Sequence, residues 1–497
     1  MTGHGRSRSG RSDRVESLLA SAHAIVKPRL GIDLRALAAF RIALGFLLLA
    51  DLLGYRAPGL IDFYTDAGVL PREALAAAYP PFASLSLHAI AGSAWVQALL
   101  FVVAAFAAVC LLVGYRMRLA TAVSLVLLAS LHARNPLLVN GGDTILLSFL
   151  FLGLFLPLDA RWAIDASQRS DGDQRVCSLA TATLLAHFTA IYAVNAVLKY
   201  QSDAWMAGDA VSRIFYLEEY IVGLGPFLAE QSTLLAAANW LWVALLTVSV
   251  FLVVYTGRPR IALVAAFVAA HLGLAATMRL GIFPFVMIAG LLLFLPPSVW
   301  DRIDERVRSL EPLAGQQIWP NVGDRARVGI QPVLESRPKI RRSLRASSAA
   351  ILVGFLLFIG VWHAATVGVD APQPDVDEAL SEASWAFFAP NPPDASSWYV
   401  VAGELESGEA VDTIDGGDIS FDRPPDAAET YPTTLWHRYG TELRYADEHH
   451  YAAAATTVCE RSDRDLEAVR IYRVDQPVDA DGPVGDPIAD ERIEHAC

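Results

Sequence analysis

Long apolar runs alternate with short polar loops over the first two thirds of the chain, and the last third lacks such runs. A membrane-spanning helix needs roughly 20 mostly apolar residues. Nine stretches approach that length: 34–53 (LRALAAFRIALGFLLLADLL), 94–113, 117–133, 143–158, 177–199, 233–255, 260–278, 281–297 and 348–368. The third, fourth and eighth are short. The runs are apolar all round rather than striped, the pattern of helices buried in lipid. Arginine and lysine fall in every second loop: Arg116 and Arg118, then Arg161, Arg169 and Arg175, then Arg258 and Arg260, then ten basic residues over 298–346. Basic loops stay on the cytoplasmic side. The N-terminus is therefore expected inside, and nine spans place the C-terminus outside. The outer loops 54–93 and 200–232 are long enough to form caps or re-entrant elements.

The expected fold is an all-α polytopic membrane bundle of about nine transmembrane helices, followed by a small mixed α/β domain outside the cell membrane. The expected divisions are a basic, disordered cytoplasmic segment 1–32, a transmembrane domain 33–300, a basic cytoplasmic loop 301–346, a final span 347–368 and an acidic extracytoplasmic domain 369–497. No cleavable signal peptide is expected, because the first apolar run begins late and no small-residue cleavage site follows it. In the tail, SSWYVVAGEL and AVDTIDG read as a hairpin around ESGE. Residues 430–460 have helical character, and LEAVRIYRV reads as a strand.

Composition sharpens this picture. Charged residues make up 18% of the chain, against about 25% in soluble domains, and the mean hydropathy is +0.38. The net charge of −13 hides an asymmetry. From Asp370 onward there are 29 acidic and 8 basic residues, a net −21, while the preceding part carries +8. Such a tail resembles the acidic surfaces of proteins from high-salt organisms. It excludes nucleic acid, which needs basic side chains, and leaves the bilayer and an extracytoplasmic protein as expected partners. No cysteine lies in a CxxC pair, so no metal site is expected. Cys110 reads as a small core hydrophobe. Cys459 and Cys497 form a disulfide or remain two free thiols, since pairing is not readable from sequence.

Candidate chemistry concentrates at the outer end of the fifth span. Phe188, Tyr192, Asn195 and Lys199 recur at helical spacing and share one face. A desolvated Lys199 amine would act as a base; the alternative is a lysine snorkelling to the interface. Arg41 and Asp51 are expected to pair with other helices. His187 and His271 read as proton carriers or packing histidines. His449 and His450 point apart on a helix. The tryptophans of NWLWVALL read as interfacial anchors.

Four stretches occur in order: RNPLLVNGGD, LFLPLDARWAID, YAVNAVLKYQSDAWMAG and HLGLAATMRLGIFPFVMIAGLLLFLP. Together they resemble the horizontally transferred transmembrane (HTTM) domain family, relatives of the vitamin K-dependent gamma-carboxylases, over about 33–300. WAFFAPNPPDASSWYVV resembles the module that follows this domain in prokaryotic members. The resemblance implies an active centre towards the outer face, with Lys199 ahead of Asp203 and Trp205 as the base that deprotonates a reduced quinone. Tyr200 fills a slot nearer the tryptophan, where the carboxylases carry a lysine. Gly142 stands where they carry a histidine. The expectation is thus a family member with an unassigned activity that binds a quinone or lipid. The alternatives are a carboxylase-like enzyme and, third, a secondary transporter, although no inverted repeat is evident.

Overall fold

The computed structural model describes residues 21, 24–166, 174–314, 338–368, 388–414, 416–425 and 431–497, and structural statements refer to these. Most of the basic segment 1–32, the middle of the basic loop, and the Pro/Asp linker that opens the tail lie outside them.

Nine helices follow the apolar runs and one, α9, is polar and lies in the basic loop: α1 Leu34–Ala50, α2 Ala94–Val113, α3 Met117–Arg134, α4 Gly141–Gly153, α5 Leu179–Tyr200, α6 Ser232–Thr247, α7 Arg258–Thr277, α8 Phe283–Leu291, α9 Pro297–Ala314 and α10 Pro338–Thr366. Seven segments, built on α1, α2, α3, α5, α6, α7 and α10, are long and apolar enough to cross a membrane. The other two expected spans are shorter. α4 has 13 residues, about 20 Å at 1.5 Å per residue, against a hydrocarbon core of roughly 30 Å. Its start is fixed by a capping box: the Asn140 side chain accepts the Gly142 and Asp143 N–H groups, and the Asp143 carboxylate accepts the Asn140 N–H. α8 runs on to Phe294 and then turns through 101° into α9. Pro296 and Pro297 sit at that turn, where a missing N–H and a locked φ interrupt the helix.

Contacts at the helix ends define two faces. At one, Ile32–Asp33 pairs antiparallel with Arg175–Val176 and joins the entries to α1 and α5. Arg35 there bridges Asp33, Asp301 and Asp304, and Arg260 reaches the Arg29 carbonyl at 3.1 Å. The opposite face is covered by loops and by the tail. The first long loop folds into short helices at Leu60–Tyr64, Arg72–Ala78 and Pro80–Leu85, and the second at Asp203–Ala207, Ala210–Phe215 and Gly225–Ala229, and these cap the face. Between the faces Phe40, Phe149, Phe188 and Phe294 pack edge to face or tilted. α1 and α2 approach so closely at Gly45 that an added Cβ would lie 2.7 Å from the Leu112 backbone nitrogen.

The tail forms a four-stranded antiparallel sheet of β1 Ala395–Leu405, β2 Ala410–Asp412, β3 Leu466–Pro477 and β4 Ile488–Ala496, in the order β2-β1-β3-β4. β1 and β2 are the expected hairpin, with Ala402 opposite Asp412. The helical stretch divides into α11 Thr434–Leu443 and α12 Glu448–Arg461, because Asp447 caps a new helix by accepting the His449 N–H. Cys459 and Cys497 form a disulfide that ties α12 to the end of β4. The tail rests on the caps: Arg461 pairs with Asp62 at 2.6 Å, the Thr457 hydroxyl donates to the Gly68 carbonyl, and Arg279 donates to the Tyr431 carbonyl at 3.0 Å.

Candidate functional site

Lys199 lies on the last turn of α5 and is 1% exposed, so it does not snorkel. Its Nζ sits 3.9 Å from the centroid of the Trp205 ring and donates to the Phe388 carbonyl at 3.3 Å. The Trp205 indole N–H donates to the same carbonyl at 3.0 Å. Trp205 is placed by the short helix Asp203–Ala207, whose cap Ser202 also donates its hydroxyl to Asn391 at 2.6 Å. The tail segment at Phe388–Asn391 is thus pinned above the end of α5. Phe388 packs edge-on against Tyr220 and has a φ of 50°, a left-handed backbone that bulky L-residues seldom adopt.

Beneath this cover lies a cavity of about 530 Å³. Its lining is mostly aliphatic and aromatic. The polar side chains on it include Tyr192, Asn195, Lys199 and His271. The helical face read from the sequence therefore does converge at Tyr192, Asn195 and Lys199. Phe188 instead packs in the core against Phe149 and Phe294. Tyr192 stands two turns below Lys199, about 10 Å along the helix. Its hydroxyl shares a 2.8 Å hydrogen bond with His271 Nε2, and its ring stacks on Phe267 at 4.3 Å. His187 lies elsewhere, bonded to Ser148. Trp242 packs edge-on against His271 and lines the cavity rather than serving as an interfacial anchor, whereas Trp240 is exposed.

The cavity opens sideways. Leu234, Ala238 and Leu241 on α6, with Ala266, Ala269 and Gly273 on α7, both line it and are exposed on the outside of the bundle. Leu241 is 69% exposed. Small side chains at Ala266, Ala269 and Gly273 leave the slot between these helices unfilled. Pockets that are largely apolar with a few convergent polar groups are the usual form of small-molecule sites.

A second buried cluster lies under the tail. Asp51 pairs with Arg56 one turn on, in the π-helical end of the first span, not with another helix as expected. Arg56 donates to Asp143 at 2.8 Å and to the Tyr64 hydroxyl at 3.0 Å. Arg438, from α11 of the tail, donates to the other oxygen of Asp143 at 3.1 Å and to the Leu138 carbonyl at 3.2 Å. Two carboxylates and two guanidiniums thus balance in a water-poor site. Arg41, likewise expected to pair with a helix, donates to the Trp162 carbonyl in a loop. Nearby in the tail, burial first and then Arg279, Arg438 and Arg444 hold the His437 imidazole neutral, its pKa lowered to about 3. His450, on α12, is buried and bonded to Asp447, while its neighbour His449 is exposed. Among the described residues no group of His, Cys, Asp and Glu could hold a metal ion.

Trp205, Phe388, Arg56 and Arg438 were not singled out on physical grounds by the sequence reading. Trp205 and the stretch that holds Phe388 entered only through the family resemblance, and for Arg56 the signal was an aspartate and an arginine five apart at the end of an apolar run, Asp51 and Arg56.

Together the apolar helices, the laterally open cavity and the cover over it define a polytopic integral membrane protein with an internal amphiphile-sized chamber. Residues 30–300 match the HTTM domain, and the chain belongs to the HTTM family. Among curated proteins and among solved structures, none matches the chain.

Proposed function

We propose that this HTTM protein binds a lipid-soluble quinone, or a lipid of similar amphiphilic form, in the cavity at Lys199. The observation that carries the reading is the cavity's plan: a slot between α6 and α7 open to the surrounding membrane, leading to a buried amine. An isoprenoid or acyl tail would lie in the slot among small residues. The polar head would meet Lys199, Asn195 and the Tyr192–His271 pair. The tail segment at Phe388 then excludes water from the head-group end.

The test uses the full chain in lipid nanodiscs supplied with menaquinone. Wild type is expected to retain quinone through purification. Gly273→Trp is expected to lose it, because an added Cβ at Gly273 meets nothing within 4 Å and the indole has room to fill the slot. Equal quinone content in both would overturn the reading. A second reading has Lys199 deprotonate the bound reduced quinone, and its burial against Trp205 favours this. Bicarbonate incorporation into glutamate peptides with reduced quinone, lost in Lys199→Ala, would establish it. Incorporation no higher than in Lys199→Ala would sink it and leave quinone binding standing.

The same proposal includes topology. The ends of α1, α3 and α5 and the starts of α4 and α8 all lie on the tail side. Counting α4 and α8 as short passes gives nine crossings, with the N-terminus cytoplasmic and the tail outside the plasma membrane. The basic residues Arg35, Arg175 and Arg260 at the face away from the tail support this. So does the Cys459–Cys497 disulfide, since such bonds persist in oxidising compartments. Labelling of Ser407→Cys by a membrane-impermeant maleimide on intact cells checks it; protection until lysis refutes it.

A further inference from the structure

A second cavity, separate from the chamber at Lys199, lies mostly within the tail, with Val69 of the first cap on its wall. It measures about 620 Å³ and lies between the sheet and α11 and α12. Val401 of β1 and Ile471 of β3 form its floor, and Leu443 and Ala454 stand on the two helices. Four aromatic side chains, Tyr399, Tyr431, Trp436 and Tyr439, line it. Why it stands open is legible in the residues. β2 ends at Asp412 after three residues, and Gly440, tight against Tyr431, brings no side chain to the wall. Ala454 is small where a larger side chain would close the space.

Two observations indicate what would occupy it. Tyr439 is 4% exposed and lines the cavity, yet its hydroxyl has no hydrogen-bond partner among the described residues. A buried unsatisfied hydroxyl costs roughly 1–3 kcal/mol, a cost that the electron-rich face of an aromatic ligand, accepting the O–H, would lessen. At the rim, Arg461 is committed to Asp62 and the Ala67 carbonyl. Arg464 is exposed, and its guanidinium is held only by a 3.4 Å bond to the Gly416 carbonyl. It makes no ion pair within the described residues, in a tail where acidic residues outnumber basic ones more than three to one. Asp412 and Asp463 also line the cavity, Asp412 accepting the Ile414 N–H; against them, an arginine without an ion pair is the group that suits a carboxylate attached to a flat apolar body.

We propose that this cavity is a second ligand site, one that takes a small molecule with an aromatic or polycyclic body and a single carboxylate. The body lies among Trp436, Tyr439 and Tyr431, and the carboxylate pairs with Arg464. This site is independent of the quinone reading: it shares no lining residue with the chamber at Lys199.

The test is calorimetric titration of the full chain in nanodiscs, against empty nanodiscs, with 2-naphthoate and neutral 2-naphthamide as probes. Wild type is expected to bind both. Arg464→Gln should weaken 2-naphthoate about tenfold and leave 2-naphthamide unchanged. Ala454→Phe, which fills the space, should abolish both. Ile414→Trp, at an exposed position on the rim, should do the same without touching the core. An intact Cys459–Cys497 disulfide and an unchanged melting temperature in Ile414→Trp exclude unfolding as the cause. No binding of either probe to wild type overturns the proposal. So does binding undiminished in Ile414→Trp, or an Arg464→Gln response equal for both probes.

Discussion

Replacing Arg438 with methionine should release α11 from the bundle. Arg438 supplies the second positive charge of a cluster that otherwise holds Asp51 and Asp143 against Arg56 alone. Methionine keeps much of the side chain's length and apolar volume, so the change is chiefly one of charge. At 3.1 Å and an effective dielectric constant near 20, the Arg438–Asp143 attraction is about 5 kcal/mol. Removing one partner of a buried ion pair costs roughly 3–5 kcal/mol, because the other charge stays buried without compensation. The two figures agree. Hydrogen exchange on the backbone of α11, followed by mass spectrometry, reads the result directly. Protection should fall by roughly a hundred- to several-thousand-fold, and exchange in α5 should not change. Pairing Arg438→Met with Asp143→Asn restores neutrality and should recover most of the protection, since balanced neutral replacements are tolerated. Protection in Arg438→Met equal to wild type would refute the reasoning. So would a double variant no better protected than the single one.

Three further outcomes are expected. Burial pushes the Glu219 carboxyl, outside the spans and bonded to Ser396, up to about 6 from about 4.5. The folded state therefore binds the proton more tightly, stability falls by about 2 kcal/mol as pH rises from 4.5 to 6, and thermal melts of Glu219→Gln should lack that slope. Cys459→Ser opens a loop with a sequence separation of 38 residues and should destabilise the tail by about 4 kcal/mol on the chain-entropy scale, measured by urea unfolding under non-reducing conditions. Gly45→Ala forces α1 from the Leu112 backbone and should lower stability by about 1–3 kcal/mol, read as a lower melting temperature of the whole bundle.

The spans were legible because burial in lipid leaves an unbroken apolar run, and the β1–β2 hairpin because alternation flanks a turn. Strand β4 was not. It reads IADERIEHA, and as an exposed edge strand it carries charges on both faces, which removes the period-two signal. Helix α9 was not legible either, since it lies past the apolar stretch 281–297 in the charged loop, and Pro296 and Pro297 mark a bend without saying how sharp it is. At the Lys199 site, helical spacing identified Tyr192 and Asn195 as companions. Spacing along one helix says nothing about what covers its end, so the choice between a snorkelling and a buried amine stayed open. Phe388 lies 189 residues downstream. Arg438 was equally invisible, because its partner Asp143 is 295 residues away and nothing local marks an arginine on a tail helix as a counter-ion.

The carbonyl of Phe388 has a consequence in time as well as in space. Lys199 and Trp205 emerge from the ribosome early, with the walls of their chamber, but the backbone oxygen that both of them bond arrives with the last third of the polypeptide. Until then the upper end of the chamber has no roof. A truncation between the last span and Phe388 therefore leaves the walls on α5, α6 and α7 in place and still yields an open vessel. Translation order makes the roof the final part fitted, after the bilayer has had access to the interior.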